Sequence, residues 1–256
     1  MKTKMMRMEM SLMSTSTDLQ NKVHVLVVAP SIFSPANISA PMARKVANAY
    51  NDTGRGNIRL LEGVLATRLP IISQLEKAPD LVIYMGHGQA DRICGESPMC
   101  DAIGVEDAYL FKDKIVVCAP ACEVGQVLGP IAIRNGAKAF IGATTSMYGA
   151  WQELDHDYYS DWRVYFETLY KSLLTKSVGD SLQAYKDKAS EFIELYKKNE
   201  RLWPNADWYI NATYVNRDRL EAFGSKDAKI RPIPRQEMQQ VKESIDVILD
   251  WFAPPL

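Results

Sequence analysis

A chain of 256 residues that is 47% hydrophobic and 24% charged, with a formal net charge of −1, has the makeup of an ordinary globular protein. Nothing in it resembles the basic stripe of a nucleic-acid or anionic-membrane binder, and no apolar run approaches the roughly 18 to 20 residues that cross a bilayer. The Met-rich, basic start lacks an apolar h-region with a small-residue cleavage site. The chain is therefore expected to be cytoplasmic, with reduced thiols, and its Asn-x-Ser/Thr matches at Asn37, Asn51 and Asn211 are read as chance. Residues 1–20 read as a loose tail before a single domain over 21–256.

In chain order, residues 22–30 form a near-continuous apolar strand, ended by turn residues. A helix follows, with Ser39 as N-cap before Pro41 and Met42, Val46, Ala47 and Tyr50 on one apolar face. Asn51 to Gly56 is a loop, residues 57–66 read as a second strand, with helix as the alternative, and 71–77 as a short helix or turn. Residues 80–86 form a third strand and the apolar run from Ile115 a fourth. After Cys122 the period changes: Val124, Val127, Leu128, Ile131 and Ile133 fit a helix stopped at Asn135-Gly136. Residues 137–142 give another buried strand. Two amphipathic helices are predicted over 161–174 and 178–198, a strand over 208–215 and a closing helix over 236–252. Strands alternating with helices predict a parallel sheet covered on both faces.

Two of these strands end in small-residue turns that each carry a reactive side chain. They are Leu81-Val-Ile-Tyr-Met-Gly-His87-Gly88 and Ile115-Val-Val-Cys-Ala-Pro-Ala-Cys122-Glu-Val-Gly125. Neighbouring parallel strands joined by a crossover bring both ends to one rim of the sheet. Of the four cysteines, Cys118 falls inside a strand and reads as a small buried hydrophobe. Cys94 and Cys100 sit in a loop with Gly95, Ser97 and Pro98, either paired or as exposed thiols. The four together lack the tight Cys-x2-Cys spacing of structural zinc. His156, between Asp155 and Asp157, reads as part of an exposed polar loop, and Gly86 and Gly88 lack the rest of a phosphate-loop motif.

A strand ending in His-Gly, then one ending in Ala-Cys, then Gly125 to Arg134 and Asn-Gly-Ala-Lys-Ala-Phe-Ile-Gly142 resembles the caspase, legumain, gingipain and CHAT superfamily of cysteine peptidases, clan CD. The resemblance covers about residues 21–200. It implies an α/β three-layer sandwich with a mainly parallel sheet of about six strands. It also implies an endopeptidase with no cofactor, acting on a peptide or protein substrate. The implied dyad is Cys122 as nucleophile and His87 as the group that protonates the leaving amine. A cysteine just before a helix gains from the positive helix end, and the Gly88 and Cys122 amides are placed to bind an oxyanion. Glu123 is placed to select basic P1 side chains while raising the thiol pKa, or to act as a solvated charge at a helix start. In caspase-like relatives the loop after the first strand helps to form the S1 pocket. Here that loop, Ser31 to Asn37, has neither acid nor arginine, although Arg44 follows, so the P1 residue stays open. A non-catalytic scaffold with the same fold is the rival reading, and a flavodoxin-like binder leaves the paired motifs unexplained. Loops around Glu96 and Trp151 are candidate activation or gating segments.

Overall fold

The computed structural model describes residues 23–31, 36–54, 56–97, 100–149 and 158–230. The expected tail, the closing helix over 236–252, His156 and Trp151 lie outside the described residues. Strand β1 (Val23–Ala29) is followed by helix α1 (Ala36–Asp52), strand β2 (Gly56–Glu62), helix α2 (Arg68–Leu75) and strand β3 (Leu81–Tyr84). Three two-residue strands come next, β4 (Gly88–Gln89), β5 (Arg92–Ile93) and β6 (Ile103–Gly104), forming a small antiparallel sheet. Then come β7 (Ile115–Cys118), α3 (Leu128–Arg134), β8 (Ala139–Ala143), α4 (Tyr158–Leu173), α5 (Val178–Lys198), α6 (Ala206–Arg219) and β9 (Leu220–Gly224).

The main sheet has the order β2-β1-β3-β7-β8-β9, parallel except for the antiparallel last pair. It is the mainly parallel, six-stranded α/β sheet that the alternating pattern predicts. Strand side chains alternate between faces. Val25, Val27, Leu81, Ile83, Ile115, Val117 and Ile141 pack under α1, α4, α5 and α6. Leu26, Val28, Val82, Tyr84, Val116, Cys118 and Phe140 pack under α2, α3 and the 3-10 turns over Val105–Phe111. Both faces are dry, so the strands read as unbroken apolar runs. Ile141 is fully buried, and Ile141→Ala is expected to cost about 2–5 kcal/mol, seen as a lower urea midpoint with an unchanged slope.

Several boundaries differ from expectation. Helix α1 starts before Ser39, with Pro41 inside it; a proline this near the end removes only the bond to the Asn37 carbonyl. The second strand stops at Glu62 and passes into a 3-10 turn. Residues 124–127 are turns, not helix, so α3 starts at Leu128. Residues 208–215, expected as a strand, lie inside α6, where Tyr209, Ala212, Thr213 and Asn216 recur at helical spacing on the buried face. Their β-branched and aromatic content suggests a strand, but packing overrides that preference. The two-residue strands of the small sheet leave no periodic signal, and β9, largely half-exposed or exposed, lacks the apolar run of the central strands.

Candidate active site

Register sets the site. Tyr84, Cys118 and Gly142 stand abreast on β3, β7 and β8, so the loops that follow leave one rim side by side. The Gly86 N–H donates to the Pro120 carbonyl at 3.1 Å, tying the first loop to the second. His87 is held from behind: its carbonyl accepts the Cys94 N–H at 3.0 Å, and the buried Tyr84 hydroxyl reaches the carbonyls of both His87 and Cys94. Because His87 and Cys94 are a hydrogen-bonded pair, the next pair, Gly88 with Ile93, is of the non-bonded kind, and the Gly88 N–H points away from β5.

The small sheet is braced against the Cys122 turn. The Ala90 carbonyl, at the β4–β5 turn, accepts the Val127 and Leu128 N–H groups at 3.2 and 2.9 Å. A Cβ added at Gly88 would lie 2.6 Å from the Cys122 carbonyl oxygen and 2.5 Å from Val124. Only a glycine allows this approach. In the turn itself Glu123 takes a positive φ of 60°, and the Val124 N–H folds back to the Cys122 carbonyl at 2.7 Å. The Glu123 and Gly125 N–H groups go to the carbonyls of Thr145 and Ala143 at 3.1 and 2.8 Å. The Val127 and Leu128 N–H groups, which a helix continued toward Cys122 would give to the Glu123 and Val124 carbonyls, go to Ala90 instead. The nucleophile candidate is therefore not at a helix N-terminus as expected, and that source of thiolate stabilisation is missing.

What lies on the sulfur instead is the segment after β8. The Met147 N–H donates to Cys122 Sγ at 3.3 Å. Burial pushes the Cys122 thiol above its ordinary range, the Met147 N–H pulls it down, and the nearby Glu123 carboxylate pushes it up. The sign gives a direct test: Glu123→Gln removes the negative charge, so the pH midpoint of Cys122 alkylation is expected to fall. His87, Cys122, Met147, Tyr148 and Trp162 line a small cleft of about 30 Å³. Cys122 is half-buried, whereas Cys118 is fully enclosed, with its thiol pushed far above the usual range by burial.

The other expected site residues are placed elsewhere. Glu123 accepts a hydrogen bond from Ser146 Oγ at 3.0 Å and is not among the cleft-lining residues. Arg44 forms a two-pronged ion pair with Glu62, Nε to Oε2 at 2.8 Å, at the end of β2, the edge strand separated from β3 by β1. Cys94 and Cys100 form a buried disulfide. The Glu96 carboxylate, inside that loop, is buried against Ser31, accepting from its N–H and from its Oγ at 3.1 Å. Met147, Tyr148, Trp162 and Tyr84 were missed as site residues; Met147 and Tyr148 act through backbone groups, and Trp162 and Tyr84 through an indole N–H and a hydroxyl given to backbone carbonyls, which leaves no motif.

No protein-family model and no curated protein sequence matches the chain. Solved structures do. Gingipain R, an Arg-specific cysteine proteinase, aligns with a TM-score of 0.57 at 15% identity over 82% of this chain and 48% of its own. The complex of Porphyromonas gingivalis RgpB pro- and mature domains aligns at 0.56 and 12% identity, over 82% and 49%. A structure described as a protease gives 0.54 and 15%, over 84% and 50%. The chain has the caspase-like fold of clan CD. It spans about half the length of these caspase-like structures. No described helix is long and apolar enough to cross a membrane.

Proposed function

We propose that the protein is a cysteine endopeptidase that cuts peptide or protein chains through Cys122 and His87. The observation that carries this reading is the meeting of the two strand-end loops in one cleft, with Gly88 packed on the Cys122 carbonyl. The fold shared with gingipain R supports it.

In this reaction Cys122 Sγ attacks the scissile carbonyl carbon, forming a C–S bond while the carbonyl electrons move to oxygen. The Gly88 and Cys122 N–H groups receive the oxyanion. On collapse the C–N bond breaks, and the leaving amine takes a proton from His87, which acquires the one lost by the thiol. Water then attacks the thioester, His87 accepts its proton, and the C–S bond breaks to return sulfur and acid product.

The test is mass spectrometry after brief incubation with peptide electrophiles carrying Arg, Lys, Asn, Asp or Leu at P1. A single adduct on Cys122 that varies with P1 is expected in the wild type and absent in Cys122→Ala. A fully folded protein that no peptide electrophile labels would instead identify a non-catalytic scaffold.

A further inference from the structure

The segment after β8 runs between two partners. On one side, the Ala143 and Thr145 carbonyls and the Met147 N–H meet the Cys122 turn. On the other, the Thr144 N–H donates to the Arg219 carbonyl at 2.8 Å, and Tyr148 meets Asn216. The Thr144 carbonyl and Ser146 Oγ also bond the nucleophile loop, through Gln126 Nε2 at 3.1 Å and Glu123 at 3.0 Å, while the Thr144 N–H and Tyr148 turn to the α6 side. Among the described residues, no strand lies on the α6 side at Tyr148. There, a side-chain amide takes its place: Asn216 Oδ1 accepts the Tyr148 N–H at 2.9 Å, and Asn216 Nδ2 donates to the Tyr148 carbonyl at 2.9 Å.

We propose that Asn216 is a positioning residue for the nucleophile, its amide acting as a substitute strand that holds Met147 over the Cys122 sulfur. This rests on the reading of Cys122 as the nucleophile. The link is short. The Tyr148 N–H and the Met147 C=O belong to one peptide group, which is planar and rigid. Asn216 grips its N–H end, while its oxygen lies 3.9 Å from Cys122 Sγ, and the same residue's N–H donates to the sulfur at 3.3 Å.

Asn216 is itself immobilised. It is fully buried, its Nδ2 also reaches the Tyr165 hydroxyl at 3.4 Å, and its own carbonyl accepts the Tyr185 hydroxyl at 3.0 Å. The Trp162 indole N–H adds a second donor to the Tyr148 carbonyl at 3.0 Å. Asparagine is a poor choice for a helix interior on intrinsic preference, and alanine would suit the position better were helix formation all that mattered. A buried amide with both ends matched to one residue's backbone is the arrangement that repays the substitution.

The experiment is the pH dependence of Cys122 alkylation by iodoacetamide, followed by mass spectrometry, in wild type, Asn216→Ala and Thr213→Val. Thr213 is equally buried on the same helix and bonds the Tyr158 hydroxyl, with no contact to Tyr148. Asn216→Ala is expected to raise the midpoint by about half a pH unit or more, about threefold less thiolate at a given pH, while Thr213→Val leaves it in place. A midpoint in Asn216→Ala that matches that of Thr213→Val overturns the proposal. Should Asn216→Ala not fold, hydrogen exchange on the wild type decides: a protected Tyr148 amide supports the clamp, and exchange at the rate of exposed loop amides overturns it. Iodoacetamide needs no peptide recognition. A midpoint shift in a protein that no peptide electrophile labels would therefore sink the peptidase reading and leave the clamp standing.

Discussion

Replacing Cys122 by alanine is expected to lower kcat/KM for peptide hydrolysis by about 10⁴-fold or more, because among the described residues it carries the one thiol on the cleft. Cys118 cannot substitute for it, being fully buried inside β7, and Cys94 and Cys100 are joined to each other. His87→Ala keeps the proposed nucleophile but removes the proposed proton donor, and its expected loss is smaller, about 10²–10⁴-fold. Two further features sharpen the comparison. His87 is held by its backbone carbonyl, through Cys94 and Tyr84, so its side chain can be removed without releasing the loop. And since the resting thiol is raised by burial, Cys122 in His87→Ala should still alkylate at high pH while failing to turn over. Steady-state kinetics on a peptide identified by the labelling panel, alongside alkylation of the same samples, checks both. Full hydrolysis by Cys122→Ala would show that the activity belongs to another group or another protein.

Gly88→Ala is expected to cost both activity and stability. The new methyl would sit 2.6 Å from the Cys122 carbonyl oxygen, a backbone atom fixed by the Val124 N–H, and 2.5 Å from Val124 Cγ1. Neither neighbour is a free side-chain end able to swing aside. The β4 loop and the nucleophile turn must separate, moving the two amides proposed to share the oxyanion. A displacement of this kind is expected to lower kcat/KM about 100-fold and to destabilise the fold by about 1–3 kcal/mol. Denaturation midpoints and kinetics on the same preparation separate the two losses. If activity falls only as far as the folded fraction does, Gly88 has a packing role alone.

Much of the architecture is legible in the chain itself. Strands such as 81–84, 115–118 and 139–143 are buried on both faces, so each is an unbroken apolar run, and the turns that follow are marked by glycine and proline. The helices over 161–174 and 178–198 are amphipathic enough to give their period away, and the structure places them within a few residues of these bounds. His87 and Cys122 stand out because each follows such a strand, and parallel pairing then brings their loops to one rim.

Residues 124–127 have the apolar spacing of a helix, yet they are turns, because the Ala90 carbonyl takes the Val127 and Leu128 amides that a longer helix would need. Residues 208–215 have the composition of a strand, yet they coil, because the aromatic core beneath them accepts one face of a helix. The environment of the sulfur is still further from view. It depends on a Met147 backbone amide and on Asn216, three elements later in the chain, neither of which belongs to a motif. Periodicity and turn chemistry are local properties, carried by neighbouring residues, and a sequence displays them directly. Which donor meets which acceptor across the fold depends on distances set only after the chain has packed, and at this site those choices govern the thiol, the turn that carries it and the cleft above it.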